Sequence, residues 1–276
     1  MNTAFDSYIA DLSSEPDLAV GALLIARDEY KTLDVAEYID RLDEMATDIR
    51  GRLCDADDPI AILEMMNHKL FTELEFSGNV DDYHDPRNSY LNDVLDRRLG
   101  IPITLSLIYI EVGRRLGLNI DGVSFPGHFL VRCRTDDGIV VLDPFYKGTS
   151  LGEEDLARRL ESVVPGLDNP RSILGQLLAS VGSREILARV LRNLRGNFIE
   201  QGQDERALGA AHKICLLLPQ NAEEIKFRGY LYARLECPRQ AMEDYVRYLR
   251  LAPDASDAET IRGMVTALAG TAGSIN

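Results

Sequence analysis

The sequence predicts an α+β protein with an all-helical C-terminal region. Three observations carry that reading. Apolar residues recur at helical spacing through the first 85 positions, the period changes to two between Gly122 and Asp143, and a helical pattern repeats 34 residues apart beyond residue 184. The expected division is an acidic helical region over 1–85 packed on a core over 86–165, then helical repeats over 184–276.

The N-terminal region contains a stripe from Leu33 through Leu42 to Ile49, apolar at i, i+3 and i+4 with acids between, which predicts a helix over 33–52. Asp58-Pro59 reads as an N-cap followed by proline at the first helical position, opening a second helix through Phe71. Ser77-Gly78-Asn79 is a turn. A short helix over Asn88–Arg98 is closed by Gly100. From Leu105 to Leu118 the run is apolar on nearly every face, which predicts a helix at the centre of a core. Arg114-Arg115-Leu116-Gly117 ends it, with cations at the negative end of the dipole and glycine for the left-handed cap.

Three strands follow: Gly122–Phe125, His128–Arg134 and Ile139–Asp143, the last two joined at Asp136-Asp137-Gly138 as a hairpin. Past Ser150 the strands stop. Leu156–Val164 is a helix, and Pro165-Gly166 and Asn169-Pro170 punctuate a linker. Beyond it Phe198 matches Tyr232, Ala207 matches Ala241, Leu217 matches Leu251 and Pro219 matches Pro253. Gly229 has Arg195 as its counterpart, so that match fails. Helix, turn, a small residue opening the second helix and a closing proline make the tetratricopeptide plan. An unrelated pair of helical hairpins is the alternative. Residues 256–269 would cap the array, and the tail should pack on the preceding helices.

Composition narrows the function classes. The chain has 276 residues, 45% hydrophobic and 27% charged, values that exclude wholesale disorder. No apolar run approaches the ~20 residues of a membrane span. The start, Met1–Asp6, has no basic or apolar leader pattern, so a cytoplasmic protein is expected. Net charge is -15, and residues 1–85 alone hold 21 acids against 6 bases, while the remainder balances. That segment is either a solvated acidic surface or a face that docks a basic partner. It repels nucleic-acid phosphates and anionic lipid, so neither direct nucleic-acid nor membrane binding is expected.

Cys54, Cys133, Cys215 and Cys237 are scattered without paired spacing and read as free thiols. The four histidines form no zinc-ligand cluster with them. His84-Asp85 beside Asp81 and Asp82 reads as a solvated polar loop, with a divalent-ion site as the alternative. Neither a phosphate loop nor a dinucleotide turn is present, and no cofactor is expected.

One constellation could carry chemistry. If the hairpin pairs about Asp136-Asp137-Gly138, His128 at its start and Asp143 at its end become close neighbours. A histidine oriented by a carboxylate is two-thirds of a nucleophilic triad. The third member belongs at the N-terminus of the buried helix, where the dipole lowers a thiol pKa.

Gly78-Asn79, Asp85-Pro86-Arg87-Asn88-Ser89, Gly100–Ser106, Phe125–Leu130 and Asp143-Pro144-Phe145 occur in the order of the bacterial SirB-type family, which this sequence resembles over nearly its whole length. The resemblance implies a transglutaminase-like core with a tetratricopeptide tail, and a regulatory role. In active transglutaminase-like enzymes the cysteine follows a glycine by two residues at the start of the buried helix. Counted from Gly100, that place is Pro102. His128 and Asp143 fall on the family's His and Asp positions and read as a vestigial dyad or a structural pair tying two strands.

Thr104 and Ser106 are substitute nucleophiles or, alternatively, hydroxyls satisfying free backbone groups of the helix's first turn. Cys133 lies an odd number of residues from His128 and so on the other strand face. Three functions are therefore weighed. The first is a non-catalytic regulatory or protein-interaction module, affecting transcription only indirectly because no helix-turn-helix or basic stripe is present. The second is a hydrolase or acyltransferase using His128 and Asp143 with a non-cysteine nucleophile. The third is a scaffold whose acidic N-terminal region, or whose helical repeats, recruit a protein partner.

Overall fold

A computed structural model describes residues 3–12, 14–53, 58–166 and 169–272. In chain order it has α1 (Ala4–Ala10), α2 (Leu18–Ala26), α3 (Val35–Arg50), α4 (Pro59–Asn67), a π-helical turn (His68–Glu73), β1 (Ser77–Gly78), a 3-10 turn (Pro86–Ser89), α5 (Leu91–Arg97) and β2 (Leu99–Gly100). There follow α6 (Pro102–Arg115), β3 (Asn119–Val123), β4 (Leu130–Thr135), β5 (Gly138–Asp143), a second 3-10 turn (Pro144–Tyr146), β6 (Thr149–Ser150), α7 (Glu153–Val163), α8 (Arg171–Leu177) and β7 (Ser180–Val181). Five helices close the chain: α9 (Ser183–Glu200), α10 (Asp204–Leu217), α11 (Ala222–Arg234), α12 (Pro238–Leu251) and α13 (Ala258–Ala272).

Two compact units result, Leu12–Ile186 and Met1–Asp11 with Leu187–Asn276. α2 and α3 share a core with α6, whereas α1 packs on α10 and buries Phe5 and Ile9. Helical period and charge do not report which neighbour a short helix will choose.

In the Leu12–Ile186 unit, α6 is central as its apolar pattern requires: every residue from Pro102 to Gly113 is buried. Truncating one of its fully buried leucines, such as Leu107, should cost about 2–5 kcal/mol through lost transfer energy and the cavity left. Gly117 adopts φ +90° and Leu118 N–H closes on Gly113 O at 3.0 Å, the left-handed cap expected there. The charged residue buried on α6 is Glu111. Burial pushes its carboxyl up, and the hydrogen bond and charge of Arg115 oppose that rise. Asp58 caps α4 by accepting from Ile60 N–H at 2.9 Å, with Pro59 at the first helical position as expected.

A five-stranded antiparallel sheet, ordered β6-β5-β4-β3-β7, lies against α6. The hairpin pairs Thr135 with Gly138 and Val131 with Leu142 about Asp136-Asp137, confirming its register. Several boundaries differ from expectation. The first strand starts earlier and ends at Val123, and His128 precedes β4 rather than opening it. Strands do continue past residue 150, since β7 pairs with β3 at Gly122 and Val123. A two-residue edge is too short to display a period of two. The helix expected over Asn88–Arg98 divides into a 3-10 turn and α5, and its left-handed cap is Arg98 (φ +60°), leaving Gly100 in β2.

In the unit holding the C-terminal helices, α10 to α13 pack in succession, and the described residues of 184–269 contain no strand. The paired positions Ala207 and Ala241 are both fully buried. Gly229 permits the closest approach: a Cβ there would stand 2.9 Å from Tyr245 Cε1 and 3.2 Å from Asp244 Cβ. Arg228 grips Asp244 with two bonds of 2.6 and 2.7 Å between α11 and α12. Glu224 takes Arg192 Nε at 2.6 Å and also Arg195, joining α11 to α9.

Candidate functional site

Asp143 is the last residue of β5 and is fully buried. Its Oδ1 accepts from Phe145 N–H at 3.1 Å and Tyr146 N–H at 3.3 Å, capping the 3-10 turn that follows. His128 Nε2 lies 3.0 Å from both carboxylate oxygens. Arg159, on α7, forms an ion pair with Oδ2. Burial alone would raise the carboxyl's pKa, but hydrogen bonds and charge from His128, then Arg159, outweigh it and hold Asp143 ionised below the ordinary carboxylate range.

The sequence expectation that His128 and Asp143 meet is correct, although not as a ladder pair. β4 begins at Leu130, and His128 reaches Asp143 from the bend after Gly127, which has φ +68°. With a carboxylate as acceptor, Nε2 carries the ring hydrogen. Nδ1 has no hydrogen-bond partner among the described residues.

Aromatic rings surround this pair. His128 is stacked with Tyr146 (centroids 6.1 Å) and meets Phe145 edge-on (5.9 Å). Phe145 also meets Tyr83 at 6.4 Å and Tyr146 at 5.3 Å. Arg159 lies over the Tyr146 ring at 5.3 Å, so one guanidinium serves both a carboxylate and an aromatic face. Gly78 makes room for Phe145: a Cβ there would stand 2.4 Å from its ring.

The start of α6 is equally specific. Pro102 is the first helical residue, where its missing N–H costs nothing. Thr104 Oγ1 accepts from Ile101 N–H at 3.1 Å and donates to Asn88 O at 2.7 Å. Its hydroxyl is thus a backbone clamp. Ser106 is fully buried on the Pro102 face, one turn further on, and its Oγ has no partner among the described residues. Cys133 is buried on β4, and burial followed by the charge of Asp121 pushes its thiol up to about 11. Burial likewise pushes the Cys215 thiol up to about 11. A reactive thiolate needs the opposite shift. Cys237 is half-buried at the start of α12, and Cys54 lies outside the described residues.

Two contributors escaped sequence reasoning. Arg159 flanks the face of α7 that buries Leu156 and Leu160 while Arg158 lies opposite, so helical spacing held a signal, but it does not say that the guanidinium reaches Asp143. Asn88, fully buried, donates to Asp82 O (2.7 Å) and Tyr83 O (3.2 Å) while accepting from Asn79 Nδ2 (3.0 Å). It fixes the loop that carries Tyr83 to Phe145. Among the described residues no group of three or more His, Cys, Asp or Glu side chains could hold a metal ion, and no helix is long and apolar enough to cross a membrane.

Comparison with known proteins agrees with this architecture. A family model for the transglutaminase-like superfamily matches residues 36–192, and a tetratricopeptide-repeat model matches 194–266. A UPF0162 protein of Xylella fastidiosa (strain 9a5c) is 43% identical over 242 residues, covering 88% of this chain and 86% of its own. Protein SirB1 of Salmonella typhimurium is 25% identical over 241 residues, 87% of each chain. F-box only protein 21 of Homo sapiens is 34% identical over 149 residues, which is 49% of this chain and 24% of that protein.

Proposed function

Since this chain belongs to the transglutaminase-like superfamily, in the SirB-type family that adds a tetratricopeptide tail, we propose that it is a cytoplasmic, non-catalytic protein-interaction module. Its partner would be a protein held by the helical repeats or the acidic N-terminal region. A regulatory effect, including one on transcription, would run through that partner.

The supporting observation is the start of α6. Acyl transfer of the superfamily's kind needs a thiolate at this helix N-terminus, beside the His–Asp pair. Pro102 offers no sulfur, hydroxyl or proton there. Thr104 has committed its hydroxyl to Asn88 O, and Ser106 is sealed from solvent. Asp143 is shared between His128 and Arg159 instead of serving the histidine alone.

The intact His128–Asp143 pair favours one second reading, a hydrolase or acyltransferase whose nucleophile is a hydroxyl or comes from the substrate. Broad thiol- and hydroxyl-reactive probes separate the two when wild type is compared with His128→Ala. Labelling independent of His128 is expected. Labelling that requires His128 would favour the enzyme.

A further inference from the structure

The dyad sits within an unusual concentration of exposed apolar side chains. Tyr83 is 43% exposed and Tyr146 55% exposed, and both rings touch the nearly buried Phe145. Val163, 48% exposed, borders the same place: a Cβ on Gly127, next to His128, would stand 2.9 Å from its Cγ2. Val80, 69% exposed, precedes Tyr83 in the loop that Asn88 fixes. Isolated exposed apolar residues are ordinary, but a contiguous patch marks a binding surface. A near-buried aromatic centre flanked by exposed tyrosines is the usual anatomy of an interface hot spot.

The charge around the patch selects the partner. Asp81 and Asp82 lie between Val80 and Tyr83, are exposed, and make no ion pair among the described residues. Arg159 is neutralised by Asp143. Lys147, after Tyr146, supplies one cation against those two acids. Tyrosine faces beside carboxylates favour a desolvated cation. We propose that the patch formed by Tyr83, Phe145 and Tyr146 with Asp81 and Asp82 docks a protein segment carrying lysine or arginine beside a large apolar side chain. The proposal rests on the interaction reading above and places the contact at the vestigial dyad instead of on the helical repeats.

The test is selection of a phage-displayed random peptide library on the full chain, followed by titration of the enriched peptides as synthetic probes. Basic, apolar-containing peptides are expected. Tyr83→Ala and Tyr146→Ala should each weaken them about tenfold or more. Asp81→Asn with Asp82→Asn should weaken binding at low salt and flatten its salt dependence. These side chains are exposed, and a thermal melt checks that each variant folds. Tyr146→Lys adds a like charge and should abolish binding. Tyr230→Ala, on α11 of the repeats, should leave it unchanged. Peptides lost with Tyr230→Ala but indifferent to Tyr83 and Tyr146 would overturn the inference while leaving the interaction module intact. Enrichment of acidic peptides, or of none, would overturn it too. Failure of the interaction reading itself would appear separately, as His128-dependent turnover.

Discussion

His128 Nε2 stands 3.0 Å from both carboxylate oxygens of Asp143, and that one carboxylate also takes Arg159 and two backbone N–H groups. A fully buried anion so surrounded ties the bend before β4, the turn after β5 and helix α7 into one knot. Removing its charge strands Arg159 and the histidine. Asp143→Asn should therefore destabilise the protein by about 3–5 kcal/mol, the usual cost of breaking a buried pair from one side. Urea unfolding of both proteins measures it. A loss below about 1 kcal/mol would mean the knot holds little.

The same group sets a pH dependence. Unfolded, an aspartate titrates near ~3.9. In the native state Asp143 stays ionised to lower pH. As pH falls the unfolded chain takes up the proton first, so the contribution is complete above about pH 5 and is lost as pH drops through the native value. The stability gap between wild type and Asp143→Asn should narrow on acidification. A gap that widens would contradict the assigned direction.

Thr104 and Ser106 should respond oppositely. Thr104→Val removes a hydroxyl that bridges Ile101 N–H and Asn88 O inside the protein, leaving buried backbone groups unpaired at a cost of about 1–3 kcal/mol. Ser106→Ala deletes an oxygen without a partner among the described residues and should be neutral or stabilising. Chemical denaturation of the two variants settles it. A large loss for Ser106→Ala would reveal a role for that hydroxyl.

In the helical repeats, Gly229→Ala should destabilise by about 1–3 kcal/mol, because the new methyl enters the ring of Tyr245 and the Cβ of Asp244. Gly196→Ala meets nothing within 4 Å and should gain about 1 kcal/mol from helix propensity. Thermal melts that move in the same direction for both would contradict the close approach of α11 and α12.

The particular residues explain what could be read in advance. That His128 and Asp143 come near each other was legible because the turn at Asp136-Asp137-Gly138 brings the outer ends of its hairpin together locally, although His128 makes the contact from the bend before β4. The 34-residue repeat was legible because each unit reuses the same small, fully buried residue, Ala207 and Ala241. Arg159 was not, since a long side chain on a later helix can reach in or out without changing the apolar pattern. Asn88 lies within the Asp85-Pro86-Arg87-Asn88-Ser89 motif, yet its role depends on carbonyls at positions 82 and 83 that only the folded loop turns toward it. Arg98 took the left-handed position that glycine was expected to fill, against the statistical preference.

Acyl transfer itself is the decisive readout for a chain with proline at the helix start. A glutamine-bearing peptide is incubated with a labelled primary amine and wild-type protein, with cysteine-alkylated protein and with His128→Ala, scoring both amine incorporation and ammonia release. Loss of a triad nucleophile removes most of the rate, on the order of a million-fold in a serine protease. All three samples are therefore expected to match buffer. Turnover by wild type that disappears on alkylation and in His128→Ala would show that a cysteine does serve the dyad and that this protein is an enzyme.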